Sequence, residues 1–199
     1  MMPPDPGAMD FSRIGRLDGR TAIVTGAGNG IGRAIAMCFA QRGASVFCAD
    51  IDGGAAQRCD DEIAAPGGRA FGCACDVTHH GQLQRLMEEA GARPGGLRIL
   101  VNNAAAFYPV CKIAEIGEEE WQRLVSVNLS AVFFACRAAI PLMKQAGGGS
   151  ILNIASQLGH VGATGRAAYS ATKAAVIQLS RSLALDHSVD NSRVNSLSP

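Results

Sequence analysis

Along residues 17 to 199, short apolar runs rich in Val and Ile alternate with longer stretches whose apolar residues recur at helical spacing. The runs Thr21 to Thr25, Ser45 to Ala49, Arg69 to Cys75, Leu97 to Val101, Ser150 to Ala155 and Arg193 to Leu197 predict strands. Helical period is clearest in Ile31 to Arg42, Thr78 to Ala92, Glu118 to Gln145 and Ala167 to His187. Strands alternating with helices imply βαβ units, whose right-handed crossovers build a parallel sheet covered on both faces. All-apolar centres such as Ala22-Ile23-Val24 and Ile99-Leu100-Val101 suit strands buried on both sides. The expected fold is α/β, a doubly wound parallel sheet of Rossmann-like form. Glycine turns at Gly67-Gly68, Gly95-Gly96 and Gly147-Gly148-Gly149 fall where helices should end before the next strand. Pro141 predicts a kink or a helix end near Ile140.

No repeat or linker divides this pattern, so one domain is expected over residues 17–199, preceded by a disordered, proline-rich tail at 1–16. The apolar content of 48% and a net charge of +1 describe an ordinary core with no bias toward a polyanionic partner such as nucleic acid. No run approaches the roughly 18 consecutive apolar residues of a membrane span, and the opening lacks the apolar stretch of a secretory signal, so a soluble, cytoplasmic protein is expected. The seven cysteines are odd in number and scattered through apolar runs without a C-x-x-C pair, which suits small buried hydrophobes in a reducing compartment. Cys73 and Cys75 alternate onto one strand face, but no cluster at metal spacing joins them, and no metal is expected.

Chemistry first appears after the first strand. Thr25-Gly26-Ala27-Gly28-Asn29-Gly30-Ile31-Gly32 runs directly into an amphipathic helix. Glycines serve where the backbone turns sharply, where it approaches a pyrophosphate, and where helix packs closely on strand; the helix N-terminus then attracts the anion. Gly26, Asn29, Gly30, Ile31 and Gly32 are therefore candidate cofactor residues, in the strand-to-helix context such a motif requires. The second strand ends in Asp50, placed to accept hydrogen bonds from both adenosine ribose hydroxyls. A carboxylate there would repel a 2′-phosphate, favouring NAD over NADP, although Arg33 and Arg58 stand near in sequence. Asp52, before Gly53-Gly54-Ala55, fits a helix cap better than a ribose ligand.

Further stretches, in order, resemble the short-chain dehydrogenases/reductases. The glycine motif has the form T-G-x-x-x-G-x-G; Cys75-Asp76-Val77-Thr78 resembles the acidic turn that contacts adenine; Val101-Asn102-Asn103-Ala104 resembles N-N-A-G. Asn128 then stands in Val127-Asn128-Leu129, Ser156 follows the fifth strand, and Tyr169-Ser170-Ala171-Thr172-Lys173 reads Y-x-x-x-K. The resemblance runs from about Leu17 to Pro199 and implies cofactor contacts at Asp76, Val77, Asn103, Tyr169 and Lys173. It also implies that Lys173 holds the nicotinamide ribose and that Asn128 supports a water through which a proton reaches solvent.

The residue types carry their own chemistry. Tyr169 and Lys173 are four apart, hence on one helix face, where an ammonium is expected to lower the phenol's pKa from its usual value near 10. Tyr169 becomes the proton donor to a ketone and the acceptor from an alcohol, with Ser156 stabilising charge on the substrate oxygen. His79-His80 are expected to face water behind a helix cap at Thr78, and His160 is expected to be a solvent-exposed loop residue.

Two departures stand out. Ala105 replaces the glycine of N-N-A-G and would crowd the nucleotide if its backbone needed positive φ. Relatives in the resembled family continue some fifty residues beyond the position of Pro199, through a helical lid and a seventh strand, so the expected sheet lacks its last strand. The expected function is hydride transfer between NAD(H) and a small secondary alcohol or ketone, in a homodimer or homotetramer packed through the two long helices. The alternative is a catalytically impaired dinucleotide-binding fragment or an assembly subunit. The stretch Gln157 to Ala163, expected to line the pocket, does not select among substrates.

Overall fold

The computed structural model describes residues 15–199, so the expected tail at 1–16 lies, apart from Gly15 and Arg16, outside the described residues. Strands β1 (Thr21–Thr25), β2 (Ser45–Asp50), β3 (Arg69–Ala74), β4 (Leu97–Asn102), β5 (Gly149–Ile154) and β6 (Ser192–Leu197) form one parallel sheet in the order β3-β2-β1-β4-β5-β6. Six α-helical segments accompany them among the described residues: α1 (Gly30–Gln41), α2 (Gly53–Ala64), α3 (His80–Gly91), α4 (Glu118–Val125), α5 (Ala131–Gln145) and α6 (Ala167–Asp186). Alternation along each strand assigns the faces. Ala22, Val24, Ile99 and Val101 meet α1 and α2 through Ala36, Ala40, Cys59 and Ile63. Ile23, Leu100 and Ile151 meet α3, α5 and α6 through Leu83, Met87, Ala139 and Val176.

Every predicted strand is present, with ends moved by a residue or two. Helix α2 is not among the stretches of clearest helical period, yet Asp52 caps it as expected by accepting the Ala55 N–H at 3.0 Å. Two expectations need correction. Helix α3 starts at His80 rather than after a Thr78 cap, because the Asp76 carboxylate accepts both the N–H (2.9 Å) and the hydroxyl (2.7 Å) of Thr78 in a local turn. Of the two outcomes expected at Pro141, a helix end does not occur: α5 continues to Gln145. Pro141 and Arg137 both lie on the exposed side, so the carbonyl that proline cannot serve faces water.

The irregularity sits elsewhere, in a π-helical turn at Ser126–Ser130 joining α4 to α5. The continuous run Glu118–Gln145 is long and apolar enough to suit a membrane by composition, but Ala135, Ala139 and Met143 are fully covered by the sheet and α3. It is a core helix. Because the strand order reverses between β1 and β4, the crossovers on either side leave by opposite faces and open a crevice above the carboxyl ends of these strands.

Candidate active site

The crevice holds a cavity of about 590 Å³. On its β1–β2–β3 side it is shaped mainly by backbone. Gly26 turns at φ +64°, a conformation costly for any residue with a side chain. A Cβ on Gly32 would lie 2.1 Å from the Gly26 carbonyl oxygen, so the first turn of α1 can rest on the end of β1 only with glycine there. Gly30 opens α1 behind this turn, while Asn29 and Ile31 reach the cavity wall. Asp50 is buried at the end of β2, its two oxygens accepting the Gly28 N–H at 2.8 Å and the Asp52 N–H at 3.0 Å. Asp76 and Val77 line the same side. Arg33 is paired with Glu62 and Arg58 with Asp52.

The β4–β5 side is built from side chains. Thr25 Oγ1 accepts the N–H groups of Asn103 (3.0 Å) and Ala104 (3.1 Å), and the Asn103 side chain donates to the Thr25 (3.0 Å) and Gly26 (3.1 Å) carbonyls. Those four bonds lock the strand ends together at the switch point. Ala105 lines the cavity without positive φ, so the feared crowding does not arise. Asn128 is 1% exposed and lies in the π turn. Its Oδ1 accepts the Ala106 N–H at 2.7 Å, while its Nδ2 donates to the Ala106 carbonyl (3.0 Å) and to Thr172 Oγ1 (3.4 Å). A buried asparagine with every bond occupied is a fastener, not a stranded polar group.

Tyr169 and Lys173 both line the cavity, one helical turn apart on α6. Ser156 follows β5 beside them, capping the turn Gln157–Gly159 and lying near enough to the Tyr169 phenol to work against a rise in its pKa. Lys173 is only 3% exposed; its ammonium donates to the Ile154 carbonyl at 2.7 Å and lies 5.7 Å from the centre of the tyrosine ring. Burial pulls its pKa down to about 8. The expected lowering of the tyrosine pKa is reversed in this arrangement. Burial raises it, opposed by the nearby Ser156 hydroxyl and the Arg166 charge, and the desolvated lysine does not overcome the loss of water around the phenol.

A family model described as short chain dehydrogenase matches residues 20–199. The chain belongs to the short-chain dehydrogenase family. As a member it is an NAD(P)-dependent oxidoreductase acting on CH–OH groups. The 7alpha-hydroxysteroid dehydrogenase of Escherichia coli K12 is 40% identical over 92% of this chain and 71% of its own length. A sorbitol dehydrogenase of Cereibacter sphaeroides is 42% identical over 92% of this chain and 71% of its own. Among solved structures, a 7 alpha-hydroxysteroid dehydrogenase complexed with NADH and 7-oxo glycochenodeoxycholic acid superposes with a TM-score of 0.89 at 39% identity, covering 94% of this chain and 73% of that one.

The residues present in the dehydrogenase fit a nicotinamide dinucleotide. Bare glycines at Gly26 and Gly32 let the strand-to-helix turn close tightly, and the first-turn N–H groups of α1 have no side-chain cap competing for them. Several neighbours of the site escaped the sequence reading. Thr172 was findable as the third residue after Tyr169 and Thr25 as the first of the glycine motif, whereas the loop residues Ala106, Phe107 and Tyr108 carry no local signal. Conversely, His160 is exposed, hydrogen-bonded to Ser198 at 3.1 Å, and none of residues 157–163 lines the cavity; Ser156 is the contributor from that loop.

Proposed function

We propose that this dehydrogenase passes hydride between NAD(H) and the carbinol carbon of a small secondary alcohol or its ketone, with Tyr169 as general acid and base. The observation that carries the reading is one cavity shared by the glycine turn and by Ser156, Tyr169 and Lys173. Gly26, Asn29, Gly30, Ile31, Gly32, Asp76, Val77 and Asn103 hold the dinucleotide, and Asp50 binds the adenosine ribose. When bound, the nicotinamide supplies the hydride acceptor or donor. Ser156 hydrogen-bonds the substrate oxygen. Tyr169 takes the hydroxyl proton as the alcohol becomes a ketone and returns it in the reverse direction. Lys173 offers its ammonium to the nicotinamide ribose and favours the phenolate electrostatically once the proton has moved. Asn128 acts by holding Ala106, and through it the cavity wall, and the same reading has it support the water that passes the proton outward.

NAD is the expected cofactor. Arg33 and Arg58 already answer Glu62 and Asp52, leaving the Asp50 and Asp76 carboxylates as the charges at that end of the cavity. That similar proteins include a hydroxysteroid dehydrogenase and a sorbitol dehydrogenase supports an alcohol substrate of either ring or open-chain kind. Assembly as a homodimer or homotetramer through α4 and α6 belongs to the same reading, supported by an apolar groove between them that Trp121, 40% exposed, and Ala171 line. Seven free thiols suit a cytoplasmic location.

The test is Tyr169→Phe. Turnover followed at the nicotinamide absorbance should fall about 10³-fold, within the span that general acid–base catalysis supplies. NADH affinity by fluorescence should change by less than about threefold, because the lost hydroxyl serves the substrate. Retained turnover removes Tyr169 from proton transfer.

A further inference from the structure

Phe107 lines the cavity, yet its side chain is 63% exposed, and its ring stacks on Tyr169 with centroids 5.2 Å apart and planes 23° from parallel. What sets it apart from other exposed apolar side chains is its place: it stands in the cavity wall against the reacting phenol, where it offers apolar surface to whatever enters. Nor is it loosely held. Three consecutive residues of its loop are fastened by side chains from three different elements. Asn128 of the π turn binds both the N–H and the carbonyl of Ala106. Arg123 of α4 donates to the Phe107 carbonyl at 2.5 Å, and Arg166, just before α6, donates to the Tyr108 carbonyl at 2.7 Å. The buried Tyr108 completes the clamp by donating its hydroxyl to the Gly165 carbonyl at 3.1 Å. Side-chain bonds to backbone on successive residues leave the loop little freedom, so the ring is presented at a set position.

We propose that Phe107 is the specificity-determining wall of the substrate site, selecting secondary alcohols carried on an apolar ring over open-chain polyols. The inference rests on the dehydrogenase reading above and names the substrate class within it. One face of the ring is covered by Tyr169, so a substrate whose oxygen meets the Tyr169 and Ser156 hydroxyls sets its neighbouring carbons beside the remainder. Ring methylenes there take apolar surface of both partners out of water. Polyol hydroxyls at the same place surrender water for no partner. Arg123, the guanidinium in the cavity wall, directs its Nε and Nη2 away from the substrate, to Glu120 and to the Phe107 carbonyl.

Saturation-transfer NMR of the full chain, with NADH and either cyclohexanol or sorbitol, tests this without requiring turnover. In the wild type, transfer to cyclohexanol protons should exceed transfer to sorbitol at least tenfold. Phe107→Ser should remove most of that excess while the NADH dissociation constant stays within twofold, and Phe107→Leu, which restores apolar surface, should recover about half. Arg123→Met, loosening the loop, should give the same change in smaller degree. Equal transfer in wild type and Phe107→Ser, or a wild type that favours sorbitol, overturns the wall. Failure of the dehydrogenase reading is separately visible as absent NADH binding or activity surviving in Tyr169→Phe. The cyclohexanol contact is then still read on the chain alone, because the ring's supports all lie within it.

Discussion

The two sides of the cavity are built by opposite means. On the β1–β2–β3 side the site consists of what is absent: no Cβ at Gly26 or Gly32, and bare N–H groups at the start of α1. On the β4–β5 side it consists of buried polar groups that bond one another across strands and helix. Asn102 donates to Asn153 at 2.8 Å, Asn153 to Ser180 at 2.9 Å, and Ser180 to the Val176 carbonyl at 2.7 Å, tying two strand ends to the middle of α6. A backbone cradle tolerates no added atom. A polar network tolerates no missing one. The first kind of site is broken by enlarging a residue, the second by trimming one.

Substitutions of each kind make that contrast measurable. Gly32→Val places atoms where a carbonyl already stands, and it should abolish NADH binding, raising the dissociation constant at least 100-fold by fluorescence and lowering the melting temperature as α1 is pushed off β1. Were binding to survive, the cradle would be softer than its backbone contacts imply. Asn128→Ala leaves the Ala106 N–H and carbonyl unpaired in a buried place, and chemical denaturation should show a loss of about 3 kcal/mol, with turnover falling more than NADH affinity. Equal loss in both quantities would make Asn128 a general scaffold residue rather than a support of the catalytic side.

A third experiment uses pH. Lys173 has a folded-state pKa of about 8, below the roughly 10.5 of an exposed lysine, so between these values the unfolded chain binds more protons and folded stability rises with pH. Cys48, Cys73, Cys75 and Cys136 act in the opposite sense, since burial holds their thiols protonated above the pH at which unfolded thiols ionise. Comparing wild type with Lys173→Met cancels the cysteines. The difference in unfolding free energy should move in favour of the wild type by about 2 kcal/mol between pH 8 and 10.5. A flat difference would mean that the ammonium is hydrated rather than buried. The smallest effect is expected at Asp50→Ala, which should reduce the preference for NADH over NADPH about tenfold, comparable to losing one or two charge-assisted hydrogen bonds. An unchanged ratio would move cofactor choice to other residues.

The alternation of apolar runs was enough to read the sheet and its parallel sense, because strands buried on both faces carry a continuous apolar signature. Pattern also marked Gly26, Gly32, Asp50, Tyr169 and Lys173 as candidates, because each stands in a short spacing that is read locally. It could not tell that α5 runs on past Pro141, since nothing local says that its side of the helix faces water, and it misjudged the Tyr169 pKa, since spacing counts charges and not the water removed around them. Contacts between distant segments were decided by tertiary structure alone. Thr25 reaches Asn103 across 78 positions and Arg166 reaches Tyr108 across 58. Local sequence specifies which backbone shapes and helix faces a segment prefers. Which polar groups meet across a packed interior depends on how the layers stack, and only the folded chain supplies the dry surroundings that make each such meeting obligatory.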